Sequence, residues 1–211
     1  LPGGDRAVRE PRRSALGLLF ELFGEEAADH ARNWFAPREL GPLLRLLDGS
    51  IHCVRTSSLG RLFDGVACLC GLGTTISFEG QAAMALEHAA DWREKHAYPI
   101  ALSDIIPVVA DWGPMVGAIV DDHRSGVPTA IISARFHNAL ADWAVAAARH
   151  GNCRQVALSG GCFQNGLLFD RVQTGLLEAG FTVYTHRTVP PGDGGIALGQ
   201  LLVAARRMKG Y

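Results

Sequence analysis

The chain has 211 residues, of which 48% are hydrophobic and 19% charged, and its net charge is −1. That balance excludes a disordered chain and supplies no field to draw in nucleic acid or an anionic membrane. No apolar run approaches the roughly 20 residues of a membrane span and no signal peptide opens the chain, so a cytoplasmic protein is expected.

The first residue is Leu1 rather than methionine, so the sequence reads as a piece of a longer protein. Its 25 glycines exceed the usual share of about 7% and fall between apolar segments, as turns do in an α/β domain. The five cysteines (Cys53, Cys68, Cys70, Cys153 and Cys162) show no Cys-x-x-Cys spacing. Neither a zinc clamp nor a disulfide framework is indicated, and buried reduced thiols are expected.

In chain order, a turn-rich opening at Leu1-Pro2-Gly3-Gly4-Asp5 leads to Arg9-Glu10-Pro11. There a helix starts, with Leu16, Leu19, Phe20 and Phe23 at helical spacing and Gly24 as its stop. A second helix is predicted over Pro37–Leu47, with Leu40, Leu43, Leu44 and Leu47 as its buried stripe. Next comes Gly60-Arg61-Leu62-Phe63-Asp64, running into a helix that Ser57 or Ser58 would cap. Asp64 stands between Phe63 and Val66 on a mostly apolar face. Such a carboxylate either pairs with Arg61 three residues back or faces a cleft and binds hydroxyls; the local pair comes first.

Glu79-Gly80-Gln81 precedes a helix predicted from Ala82 to about Lys95, carrying Met84, Glu87, His88 and Trp92. A short strand is expected over Tyr98–Leu102. From Ile105 to Arg149 the pattern is mainly helical and breaks at Gly126-Val127-Pro128, giving helices of about Gly113–His123 and Thr129–Arg149. His137 and Trp143 on the latter read as satisfied core residues before they read as ligand contacts.

The apolar run Gln155-Val156-Ala157 reads as a buried strand, followed by Ser159-Gly160-Gly161 and an amphipathic helix from Gly166. Glycines at a strand-to-helix turn let backbone approach a ligand, and the helix N-terminus suits phosphate; the same turn also serves as a tight connection with no ligand. Phe181-Thr182-Val183-Tyr184 reads as a second, parallel strand, with Gly180 ending the helix between. Pro190-Pro191-Gly192-Asp193-Gly194-Gly195 then turns into a last helix, Ile196–Arg207. Asp193 is placed either as that helix's N-cap or as a carboxylate at a cleft. The segments thus divide into a mainly helical part, 1–150, and a strand–helix–strand–helix part, 151–211.

Taken together, the quoted motifs resemble the HypF family of carbamoyltransferases in nickel–iron hydrogenase maturation. The match covers Leu1-Pro2-Gly3-Gly4-Asp5, Arg9-Glu10-Pro11, Gly60–Asp64, Glu79–Gln81, Ser159-Gly160-Gly161-Cys162-Phe163-Gln164-Asn165 and Pro190–Gly195. They follow the family's order across nearly the whole chain, in the C-terminal part of its Kae1-like domain. The resemblance implies a helix-rich α/β fold: the second lobe of an actin/sugar-kinase/Hsp70-like (RNase H-like) fold with a helical insertion. It implies that the full-length protein uses carbamoyl phosphate and ATP, forms carbamoyl-adenylate in another domain, and carbamoylates the C-terminal cysteine of HypE. That thiocarbamate leads on to the cyanide ligands of the hydrogenase iron.

By the same resemblance, Asp64 would face the nucleotide ribose, with Gly80 and Glu87 lining that pocket. Gly160 and Gly161 would approach the phosphates, Asn165 would close on the nucleotide, and Asp193 would ligate a divalent metal (iron, zinc or magnesium) in the complete domain. No residue is assigned as the catalytic base. The family's His-His-His-Ala-His cluster and Asp-Gly-Thr-Gly loop have no counterpart among these residues, and Arg12 stands where the family usually has a tryptophan. About half of a two-lobed site is expected, inactive alone. Two other readings stand beside this one. The first is an O-carbamoyltransferase or tRNA threonylcarbamoyl-type relative; the second is a non-catalytic lobe that docks HypE.

Overall fold

The computed structural model describes residues 1–49, 53–103, 107–151 and 153–208. Two compact units divide the chain, Leu1–Ala139 and Leu140–Tyr211.

The first unit is helical and is built on a close pair. A short helix α1 (Arg6–Arg9) precedes α2 (Pro11–Phe23), which Pro11 opens at the first helical position and Gly24 closes with φ +58°. Ala15, Leu16 and Leu19 of α2 are fully buried. After α3 (Ala27–Ala31), α4 (Pro37–Asp48) runs as predicted, but of its leucine stripe only Leu43 is buried. The partner of α2 is α5 (Leu59–Leu69), whose residues Phe63 to Leu69 are all buried. Gly65 makes that approach possible: a Cβ there would lie 2.5 Å from Leu18 Cδ1 and 3.4 Å from the Ala15 backbone nitrogen. Ser58 sits at the N-cap of α5 without a side-chain capping bond, so the serine cap predicted there is not made.

Arg12 is packed by an aromatic ring and a backbone carbonyl. Its guanidinium lies 4.5 Å from the centroid of the Phe35 ring and donates to the Trp34 carbonyl at 2.6 Å. Glu10 of the Arg9-Glu10-Pro11 motif holds both Arg12 and Arg13, at 2.8 and 2.9 Å.

Helix α6 (Gln81–Ala89) starts from Gly80 at φ +81° and stops six residues short of the predicted Lys95. Ala90 turns extended, Asp91 Oδ1 accepts the Arg93 N–H at 3.0 Å, and Glu94 Oε1 accepts those of Lys95 and His96 at 2.8 Å. Side-chain acceptors that capture local N–H groups compete with the helix, which is why it ends there. The predicted strand shrinks to β1 (Ala101–Leu102), antiparallel to β2 (Ala110–Asp111). Residues 104–106, where the helical pattern was expected to begin, lie outside the described residues, and β2 replaces it at 110–111. Then α7 (Gly113–Arg124) and α8 (Thr129–His150) flank the break at Gly126, as predicted. The boundary between the units falls within α8.

In the second unit, β3 (Gln155–Ala157) pairs in parallel with β4 (Thr182–Tyr184), Val156 opposite Val183. The crossover is α9 (Gly166–Glu178), closed at Gly180 with φ +81°. Its core joins Leu140, Ala141 and Val145 of α8 to Leu158, Leu167, Leu168, Val172, Leu176 and Phe181. The strand β3 is not the buried one that its sequence predicts; Gln155 and Ala157 are exposed and Val156 half-buried. The last helix, α10 (Ile196–Met208), contains no buried residue.

Of the cysteines, Cys68 and Cys70 are buried and reduced, and burial pushes both thiols up to about 12. Cys153 is exposed, and Cys53 and Cys162 are intermediate.

Candidate functional site

In the first unit the site residues stand on α5, α6 and α8. Asp64 is 2% exposed, and its Oδ2 lies 2.8 Å from Arg61 Nη1, the local pair that the spacing predicts. Close as it is, that contact lacks hydrogen-bond alignment, and Oδ2 has no hydrogen-bond partner among the described residues. Burial pushes the Asp64 carboxyl up to about 6; the Arg61 guanidinium opposes that rise and Glu79 adds to it. The result is a carboxylate that leaves water only at a cost and keeps an unsatisfied acceptor.

Gly80 holds the left-handed turn at the head of α6, and Glu87 lies half-buried seven residues on. His137 on α8 is fully buried, in edge-on contact with Phe63 and Phe136. Its Nδ1 lies 2.7 Å from the Ser133 carbonyl, which can only accept, so Nδ1 carries the proton. Burial lowers the histidine's pKa, while the Ser133 carbonyl and the Glu87 charge act in the other direction. His137 is thus a satisfied core histidine, as the sequence suggests. Its electrostatic link to Glu87 is what the sequence does not show, because the two residues are fifty apart and on different helices.

In the second unit the Ser-Gly-Gly turn and the Pro-Pro-Gly-Asp loop form the walls of one cleft of about 340 Å³. Ser159, Gly160, His186, Pro190, Pro191, Gly192 and Asp193 are among its lining residues. Gly160 adopts φ +108° and ψ 156°, a conformation essentially confined to glycine. A Cβ added at Gly160 or Gly161 would enter open space, so the backbone there is bare and approachable. The Gly160 N–H, however, donates to the Pro191 carbonyl at 2.7 Å. Gly160 therefore ties the two walls together and offers closeness rather than a free donor.

The helix following the glycines also differs from expectation. A 3-10 turn, Gly161–Gln164, separates Gly161 from α9, and Asn165 caps the helix by accepting the Leu168 N–H at 2.9 Å. The N-terminus of α9 is thereby displaced from the glycine pair and partly satisfied by its own cap. Asp193 opens a 3-10 turn, Asp193–Gly195, ahead of α10 and is not that helix's N-cap; its side chain is exposed at the cleft. No group of three or more histidine, cysteine or acidic residues able to hold a metal exists among the described residues. A divalent ion needs several ligands, so Asp193 alone does not fit a metal site within this chain.

His186 is the residue that sequence reading passed over. It lies in the Thr185-His186-Arg187 loop after β4, with no spacing to mark it, and its Nε2 is 3.1 Å from Ser159 Oγ.

The fold is that of a Kae1-like subdomain, as comparison with known proteins shows. The family model described as "Carbamoyltransferase, Kae1-like Domain, second subdomain" matches residues 1–200, so the chain belongs to the HypF carbamoyltransferase family. Carbamoyltransferase HypF of Synechocystis sp. is 39% identical over 96% of this chain and 28% of its own length. A carbamoyltransferase HypF homolog of Cupriavidus necator is 37% identical over 98% of this chain and 55% of its own. Full-length HypF, crystallised in a phosphate- and nucleotide-bound form, superposes with a TM-score of 0.87 at 34% identity, covering 99% of this chain and 28% of that one. HypF of T. kodakarensis gives a TM-score of 0.83 at 28% identity, over 100% of this chain and 29% of that one. The chain thus spans between about a quarter and just over half the length of these relatives. Among the described residues no helix is long and apolar enough to cross a membrane.

Proposed function

We propose that this chain supplies the second-subdomain part of a carbamoyltransferase that uses carbamoyl phosphate and ATP, through carbamoyl-adenylate, to carbamoylate the C-terminal cysteine of HypE. The observation that carries this reading is the cleft at Gly160, where the backbone of the glycine pair is bare, in a chain of the HypF family. A related HypF crystallised with phosphate and nucleotide supports a nucleotide as the ligand class.

In this reading, Asp64 offers its unsatisfied Oδ2 to a ribose hydroxyl, with Gly80 and Glu87 contributing to the ribose side. Gly160 and Gly161 admit the phosphates because no side chain stands in the way, and Asn165 keeps the turn in shape by capping α9. Asp193 would be one ligand of a divalent metal whose remaining ligands come from outside these residues; bound there, the ion would neutralise phosphate charge. Transfer by this chain alone is not expected, since neither a set of metal ligands nor an assigned base for the acceptor thiol is found among the described residues. Cytoplasmic residence and HypE as the partner belong to the same proposal.

The test is a chimera. The second subdomain of Synechocystis HypF is replaced by this sequence, and HypE is analysed by mass spectrometry after incubation with ATP and carbamoyl phosphate. Carbamoylated HypE is expected. A soluble, folded chimera that makes carbamoyl-adenylate but never modifies HypE would overturn the reading.

A further inference from the structure

The cleft of the second unit has an unusual electrostatic inventory. Among its lining residues only His186 can carry a positive charge, and only Asp193 carries a negative one. The Gly160 N–H, the donor that a glycine turn would ordinarily aim at an anion, is spent on Pro191. A phosphate entering this cleft therefore has one side chain able to meet it with charge.

The hydrogen bonds around His186 fix how it would do so. The Pro191 carbonyl accepts the short bond from Gly160 and a longer one, 3.4 Å, from Ser159 Oγ. A carbonyl can only accept, which directs the single Ser159 hydroxyl proton toward Pro191. Ser159 Oγ then accepts from His186 Nε2–H, at 3.1 Å. With Nε2 so committed, the other ring nitrogen, Nδ1, has no hydrogen-bond partner among the described residues and is left for a ligand. Protonated, the ring presents Nδ1–H as a charge-assisted donor to an oxyanion.

Resting on the nucleotide reading above, we propose that His186, oriented by Ser159, is the residue of this cleft that binds a phosphate oxyanion. The contact belongs to the phosphate chain and not to the nucleoside. It lies within the second unit, so it operates in this chain as it stands. Asp193 faces the same cleft and opposes the anion until a cation is bound, which makes His186 the more necessary partner. Free polyphosphate and the phosphates of a nucleotide share this chemistry, and adenosine, which lacks it, is the control.

The experiment follows the His186 imidazole by two-dimensional proton–nitrogen NMR while tripolyphosphate, ATP and adenosine are titrated separately into the chain, with affinities from calorimetry. Tripolyphosphate and ATP are expected to shift the His186 nitrogens, and adenosine is not. His186→Ala should weaken tripolyphosphate and ATP by roughly tenfold or more, and His186→Lys should restore much of that loss by returning a cation. Ser159→Ala should leave the ring present but allow both tautomers, seen as a change in its nitrogen shifts, with a smaller loss of affinity. Arg187→Ala, next along the loop and outside the cleft lining, should change nothing.

Failure of the two readings can be told apart. If ATP binds in an Asp64-dependent manner but tripolyphosphate leaves His186 unmoved and His186→Ala binds ATP normally, this proposal is wrong and the nucleotide reading stands. If tripolyphosphate binds through His186 while Asp64→Asn leaves ATP affinity unchanged, this proposal stands and the ribose assignment falls. No response of His186 to any phosphate overturns the proposal.

Discussion

Helices α5 and α10 are written in much the same residues and meet opposite fates. From Phe63 to Leu69, every residue of α5 is buried, and Gly65 allows α2 to come into backbone contact. Along α10, Leu198, Leu201, Leu202 and Val203 are between 52 and 68% exposed, and nothing on the helix is buried. Composition made both helices apolar; only the presence of a packing partner made one of them core. The same contrast holds for the sheet. Parallel strands normally have both faces covered, yet β3 leaves two of its three residues exposed. Helix α5 therefore has its apolar surface covered within its own unit, whereas α10 displays apolar surface that its unit does not cover, on the unit that carries the cleft.

The comparison can be broken by substitution. The largest effect is expected at Phe63, 1% exposed and edge-on to Phe136 with centroids 5.0 Å apart. Phe63→Ala should cost about 3–5 kcal/mol in urea denaturation, the usual result of emptying a core aromatic site. A cost below about 1 kcal/mol would mean that the first unit is not the tight body described.

Next in size is Asp64. The folded protein holds this proton up to about pH 6, whereas an ordinary aspartate releases it near 3.8. Between those values the native state binds more protons than the unfolded one, so stability falls as pH rises through the window and stays low above it. Asp64→Asn should therefore be more stable than the parent at pH 7.5, by on the order of 2 kcal/mol, and should flatten the slope between pH 4 and 6. Denaturation series across that range would check it, and an unchanged slope would show that Asp64 is not the group responsible.

Gly65→Ala probes the close approach itself. Leu18 Cδ1 can give way in part and the α2 backbone cannot, so a loss of about 1–2 kcal/mol is expected by thermal unfolding. The smallest effect sharpens the other side of the comparison. Replacing Leu201 and Leu202 of α10 by serine should change stability by less than about 0.5 kcal/mol each, because no packing is lost. A loss of 2 kcal/mol or more would show that α10 is buried in solution.

How far the sequence alone could lead differs between these regions for physical reasons. Helix limits set by backbone chemistry were legible: Pro11 and Gly24 on α2, Gly126 between α7 and α8, Gly180 after α9. The end of α6 was not, since Asp91 and Glu94 draw local N–H groups out of a pattern that still looks helical. Periodicity marks a residue as apolar without saying what will cover it, which is why β3 was misread as buried, and why the exposure of α10 could not be foreseen. Within the candidate site, the i, i+3 spacing gave the Arg61–Asp64 pair. Gly160 was identified for its conformational freedom, but its donor proved to be engaged by Pro191, a partner thirty-one residues away. His186 carried no signal at all, because what distinguishes it is the turn folded against its ring.

The central claim, that this chain carries part of a nucleotide site, is tested most directly by calorimetric titration of ATP and AMP into the chain and its Asp64→Asn variant at pH 7.5. The substitution keeps the side chain's volume and is expected to fold at least as well as the parent, so a loss of binding cannot be ascribed to unfolding. Measurable binding of both nucleotides by the parent, weakened roughly tenfold or more in the variant, is the predicted result. Equal binding by the two proteins would contradict the account and remove Asp64 from the site.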